Sequence, residues 1–257
     1  MNSLSLAPYK SRRTNLKFEN LTIAIIGAAG AIGSAVARRI KSEGGRPLLL
    51  GRSLERLAAL ATALNVSVEA VEASDFDALD EVLKRHAPIH GIVNCAGSIL
   101  LKPAHATSRA EWDQIIETNL TTAYSTVRAG AKHFPITGGS IVLVSSAAAR
   151  IGLSNHDAIA AAKAGVIGLT LAASATYAVR DIRVNCVAPG LVDTPLASKI
   201  TSNEVSLRTS VAMHPLGRIG KPEDVASAIV WLLDPQNNWV TGQIIGVDGG
   251  LGTVRPR

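Results

Sequence analysis

Three glycines, at positions 27, 30 and 33, follow the apolar run LTIAIIG and open the helical pattern AIGSAVARRIKSEG. Glycine lets a backbone turn tightly against a pyrophosphate, whose charge the free N–H groups and dipole of a helix start stabilise. The next apolar run ends PLLLGRS, where a carboxylate would select the ribose 2′-hydroxyl of NAD; Arg52 stands there instead, with Ser53 beside it. A guanidinium matches a 2′-phosphate in charge and in bidentate geometry, so this pair favours NADP(H), with NAD the alternative. Further along, HDAIAAAKAGV sets Lys163 among small and apolar residues, which predicts a buried helix carrying a buried amine. His156 lies seven positions earlier, about 20° away in helical projection, and an imidazole with its ordinary pKa of about 6.5 suits proton transfer at neutral pH. Asn155 or Asp157 is the expected cap of that helix, which leaves the direction of His156 open.

Such scattered residues need a scaffold that gathers them. From residue 21 onward short apolar runs alternate with helical patterns: LTIAIIG, PLLLGR, VSVEAVE, IHGIVNCAG, GSIVLVSS, IRVNCVAPG and GQIIGVDGG read as strands. Between them fall helices that include a long one around 109 to 133 and another on AIAAAKAGVIGLTLAASATYA, while 191 to 215 reads as irregular. Strands that are continuously apolar imply a parallel sheet covered on both faces, a doubly wound (Rossmann-type) three-layer αβα fold. Ligands bind such sheets where the strands end. The glycines and polar residues gather there, at Gly27 to Gly33, Gly51-Arg52, Asn94 to Gly97, Ser145-Ser146 and Pro189-Gly190.

The remaining features narrow the class. A chain of 257 residues without low-complexity tracts fits one domain over 20–257, preceded by a flexible extension over 1–19. The net charge of +6 is matched in number by Lys10, Arg12, Arg13, Lys17, Arg255 and Arg257 near the two ends, so solvated tails explain it better than a nucleic-acid surface. No apolar run reaches the roughly 18 residues a membrane span needs. The acid-free start lacks the apolar region of a secretion signal and reads as an extension rather than a transit peptide. Cys95 and Cys186 have no metal-ligand or disulfide spacing, which fits a reduced, cytoplasmic setting, and the six histidines form no i, i+4 pair.

At this point the chain, over about residues 20 to 252, resembles the short-chain dehydrogenase/reductase family. GAAGAIG is similar to that family's cofactor turn, with its usual middle glycine falling on Ala31 and the Thr or Ser that usually precedes the first glycine replaced by Ile26; the turn brings Gly27, Ala29, Ile32 and Gly33 to the cofactor. NCAG resembles its Asn-Asn-Ala-Gly turn, assigning Asn94, Ala96 and Gly97; Glu72 stands where an aspartate usually lies near the adenine. VAPGLVDTPL resembles the turn beside the nicotinamide, assigning Pro189, Gly190, Val192 and Thr194. The resemblance makes Ser146 the serine that binds the substrate oxygen, Asn119 the asparagine that organises a water relay, and Lys163 the lysine that holds the nicotinamide ribose. The family's signature is Tyr-x-x-x-Lys, about a dozen residues after the serine. Counting thirteen from Ser146 reaches Ile159, four before Lys163.

Isoleucine moves no proton, and acid–base catalysis contributes about 10²–10⁴-fold. Two expectations follow. One is an NADP(H)-dependent oxidoreductase interconverting a carbonyl and an alcohol on a small molecule, its proton coming from His156, Asp157, water or the substrate. The other is a cofactor-binding protein without turnover. The resemblance also implies a homotetramer or homodimer, joined through the helices over 109–133 and 155–178. Neither a metal nor a membrane or nucleic-acid partner is expected.

Overall fold

The computed structural model describes residues 16–255. Seven strands form its sheet: β1 (Thr22–Ile26), β2 (Arg46–Gly51), β3 (Val68–Ala70), β4 (Gly91–Asn94), β5 (Gly139–Val144), β6 (Ile182–Pro189) and β7 (Ile244–Val247). All pair in parallel, in the order β3-β2-β1-β4-β5-β6-β7. Parallel strands need crossovers, and helices supply them on both faces. On one face lie α1 (Ala31–Ser42), α2 (Leu54–Leu64) and α9 (Pro222–Leu233), on the other α3 (Phe76–Arg85), α5 (Thr122–His133) and α6 (Asp157–Tyr177). The strands feed both cores alternately. Ala24 and Ile26 of β1 face the α3–α5–α6 side, Ile23 and Ile25 the α1–α2–α9 side. That two-sided burial is why the strands read as unbroken apolar runs.

Several boundaries differ from the sequence reading. The helix expected over 109 to 133 is α4 (Arg109–Ile116) and α5, joined by one π-helical turn over Glu117–Thr121. The stretch expected to be irregular contains two helices, α7 (Ser198–Thr201) and α8 (Glu204–Met213), the second capped by the Asn203 side chain on Ser206 N–H. Residues 1–15 of the expected extension lie outside the described residues, but Phe18 within it is fully buried in the α1–α2–α9 core. The segment Asp157–Arg180 is, by length and composition, apolar enough to cross a membrane, against the expectation that no run was. Its Val166 and Ala173 lie in the core against the sheet, so the same apolarity serves a core helix.

Candidate active site at the strand exits

Because every strand runs the same way, the exits of β1, β2, β4, β5 and β6 share one edge. The order of the sheet reverses between β1 and β4, and a crevice opens at such a switch point. Gly27 leaves β1 with φ +76°, and a Cβ there would stand 2.7 Å from Ala96 N in the turn that leaves β4. A Cβ on Gly33 would stand 2.5 Å from the Gly27 carbonyl, so α1 starts pressed against the turn. Ala29 and Ile32 are half-buried and lean on the core. Gly30 caps α1 without a side chain, and the first turn of the helix carries no acid. Its first N–H groups therefore point outward unpaired, as an anion site requires.

The other exits complete a cradle. Asn94 ends β4 buried; its Nδ2 donates to Thr122 Oγ1 (3.0 Å) and its Oδ1 accepts from Ala96 N–H (2.9 Å), fixing the turn to Gly97. Arg52 is exposed just past β2, and no ion pair holds it among the described residues. Ser53 caps α2, its Oγ accepting from Arg56 N–H at 3.3 Å, which leaves the hydroxyl hydrogen free to donate. Glu72 is exposed past β3, its Oε1 3.4 Å from Ser74 Oγ. Pro189 ends β6 and Gly190 follows; Val192 bridges to Gly220, and Thr194 Oγ1 accepts from Ala197 N–H at 3.3 Å. Glycine cradle, open helix start and free guanidinium are the features a dinucleotide requires, so the residues present fit that group.

Beside the cradle lies a polar cluster. Ser145 Oγ donates to the Lys163 carbonyl (2.8 Å), locking the β5 exit to α6. Ser146 Oγ accepts from Ala148 N–H (3.1 Å) and keeps its own hydrogen for another acceptor. Lys163 is 7% exposed; its Nζ donates to the Val144 carbonyl at 2.8 Å, and no carboxylate pairs with it among the described residues. Burial pulls its pKa from 10.5 down to about 8, and Cys186 and Cys95 oppose that shift weakly. Burial likewise pushes the thiols up, Cys95 to about 12 and Cys186 to about 11. Asn119, in the π-turn, donates from Nδ2 to Ser98 Oγ and to the Ile115 carbonyl, both at 3.0 Å, and accepts from Ser98 N–H at 3.2 Å. A Cβ on Gly97 would stand 3.2 Å from Asn119 Oδ1 and 3.6 Å from Lys163 Nζ, so these groups meet at one point of the cradle.

Ile159 is 5% exposed and packs with Ile115, Ala158 and Ala162. The cap of α6 is His156 itself, neither Asn155 nor Asp157; Asn155 takes φ +62° and Asp157 is the first helical residue. His156 Nδ1 lies 2.8 Å from the Ser154 carbonyl, so Nδ1 carries a hydrogen and Nε2 is left for exchange. Two supporting residues, Thr122 and His214, escaped the sequence reading, which placed Ser145 at the strand exit without its bond to α6. Nothing in composition or spacing marks the two, since their contacts span 28 and 23 positions, and the Ser145 bond spans 18.

The fold and this edge define a nucleotide-binding αβα protein, and comparison with known proteins gives its family. A family model described as Enoyl-(Acyl carrier protein) reductase matches residues 27–252. The chain belongs to the short-chain dehydrogenase/reductase family, whose members are nicotinamide-dependent oxidoreductases. It is 35% identical to a 3-oxoacyl-[acyl-carrier-protein] reductase of Thermotoga maritima, over 92% of this chain and 99% of that one. It is 34% identical to cis-4-hydroxycyclohexanecarboxylate dehydrogenase of Sinomonas cyclohexanicum, over 92% and 98%. Among solved structures, an actinorhodin polyketide ketoreductase variant with NADPH superposes with TM-score 0.86 at 26% identity, covering 91% of this chain and 98% of that one. A short-chain type dehydrogenase/reductase from Mycobacterium ulcerans gives 0.88 at 28%, covering 93% and 92%.

Proposed function

We propose that this protein is an NADP(H)-dependent oxidoreductase that interconverts a carbonyl and an alcohol on a small molecule. The observation that carries the reading is the convergence of Asn119, Lys163 and Gly97 beside a glycine cradle, with the Ser146 hydroxyl hydrogen uncommitted at the neighbouring strand exit. The bound nicotinamide supplies or accepts the hydride. The first turn of α1 and the turn Gly27–Gly33 hold the pyrophosphate. Glu72 lies by the adenine, while Asn94, Ala96 and Gly97 form the wall of the crevice. Pro189, Gly190, Val192 and Thr194 flank the nicotinamide. Arg52 and Ser53 favour NADP over NAD; the NADPH bound to the similar ketoreductase points the same way.

Ser146 Oγ donates to the substrate oxygen, and Lys163 Nζ binds the ribose. Asn119 fixes the loop at Ser98 and holds the water path. Ile159 stands where the family carries its tyrosine and supplies no proton. In its place His156 acts at Nε2: the Ser154 carbonyl fixes the ring through Nδ1, as an oriented general acid needs. His156 would give its Nε2 proton to the carbonyl oxygen as the carbon takes the hydride that bound NADPH would supply in becoming NADP+, and solvent would reprotonate the ring. We place the protein in the cytoplasm as a homotetramer or homodimer. The half-exposed Trp112, Tyr124 and Leu171 on α4, α5 and α6 support a contact between copies.

The test is NADPH-driven reduction by His156→Ala and Ile159→Tyr. Removing the acid lowers kcat by about 10²-fold or more, with NADPH affinity retained, and restoring the tyrosine raises it. An unchanged rate in His156→Ala sinks the assignment to His156. A protein that binds NADPH yet turns over nothing until Ile159→Tyr is introduced is the silent binder that Ile159 also supports.

A further inference from the structure

His214 closes α8 and is 3% exposed. Its Nδ1 lies 2.6 Å from the Ser210 carbonyl, and its Nε2 lies 3.2 Å from Leu191 N. A carbonyl only accepts and a backbone N–H only donates, so Nδ1 carries the hydrogen and Nε2 the lone pair. Both bonds form only in the neutral ring. A second proton would place N–H against N–H at 3.2 Å. The contact is tight on the other side as well: a Cβ on Gly190 would fall 2.5 Å from Nε2 and 3.1 Å from Asp248 Cα. The ring thus joins α8 to the turn Pro189–Leu191. The Leu216 N–H bond to the Gly249 carbonyl (3.1 Å) lays the following segment on the exit of β7.

We infer that His214, as neutral imidazole, is a positioning residue: it holds α8 and the turn Pro189–Leu191 in one arrangement, and protonating it frees both and weakens cofactor binding. The inference rests, in its cofactor arm, on the reading that this turn flanks the nicotinamide. Charged groups lie on the elements around the ring. Asp248 at the β7 exit is engaged by Gly250 and Gly252 N–H (3.0 and 2.9 Å). A cavity of about 670 Å³ beside the ring is also lined by Arg39 of α1, Arg218, and Glu223 and Asp224 of α9. Arg218 is paired with Asp224 at 2.6 Å, and Arg39 with Glu43 at 2.9 Å. On its own helix Glu204 and Arg208 lie 3.7 Å from each other. The ring's own two hydrogen bonds, to the Ser210 carbonyl and from Leu191 N–H, decide which ring form the closed arrangement accepts.

The experiment compares the full chain with His214→Gln, which keeps an amide donor and acceptor and cannot be protonated in this range, and with His214→Phe. NADPH affinity is read by fluorescence at about pH 8 and about pH 5.5. The ratio of wild-type to variant Kd at each pH cancels titration of the cofactor's own phosphate. At the higher pH His214→Gln binds within about threefold of wild type; at the lower pH wild type weakens about tenfold more than the variant. Hydrogen exchange of peptides spanning 189–215 in the cofactor-free protein reads the latch without any ligand, with the melting curve of each variant confirming folding. His214→Phe exchanges faster there, and wild type gains on His214→Gln only in acid. Equal acid weakening in wild type and His214→Gln, or unchanged exchange in His214→Phe, overturns the proposal. If nothing binds NADPH at either pH, the cofactor reading has failed and the exchange arm alone decides the latch.

Discussion

Lys163 loses water and gains one carbonyl, a poor exchange for an ammonium with no carboxylate beside it. The folded protein releases this proton at about pH 8, the unfolded chain at 10.5, so between those values the unfolded chain binds more protons and stability rises with pH. Below that window the amine costs on the order of 3 kcal/mol. Lys163→Met should therefore be the more stable protein in denaturant melts at neutral pH, with the gap closing as pH rises through the window. Cys95 and Cys186 act in the opposite sense, their raised pKa values costing stability at high pH, but both proteins share them. A gap independent of pH would contradict the account. On the function proposed above, such a costly group serves the site, as does Arg52: Arg52→Ala should weaken NADPH about 10- to 100-fold, the loss of a charge-assisted hydrogen bond, and leave NADH nearly unchanged. Equal losses for both would remove Arg52 from the phosphate. Both side chains were legible in the sequence, Lys163 from its apolar surroundings and Arg52 from its strand exit. The ring of His214 was not, because its meaning lies in two contacts that only folding creates.

Among the elements, the strands were readable because both their faces are buried, which leaves an unbroken apolar run. The π-turn was not. Nothing in ETNLT distinguishes it from an ordinary helix, and the insertion shows only in the carbonyl of Ile115 that Asn119 Nδ2 satisfies. The helices α7 and α8 were missed for a related reason: neither buries a residue, so no apolar stripe announces them. Asn119→Ala should leave the Ile115 carbonyl and Ser98 N–H without their partner. An expected loss of about 1–3 kcal/mol in urea melts follows, with weakened NADPH binding because the loop after Gly97 loosens. A variant as stable as wild type would mean that the turn stands without its side chain.

For the whole molecule, the parallel sheet does the gathering: residues as far apart as Gly27 and Gly190 reach one edge because all seven strands point the same way. The edge could be predicted from the pattern of strands and helices alone, whereas the lock between the 189–191 turn and α8 depends on side-chain packing across the fold. The proposed function makes hydride transfer the work of this edge, and consumption of NADPH by the purified wild-type chain across a panel of ketones and aldehydes tests it most directly, with Ser146→Ala as the control. The account predicts turnover with at least one carbonyl, reduced about 10²-fold or more in Ser146→Ala while NADPH still binds. Binding of NADPH by wild type without consumption by any carbonyl would contradict it.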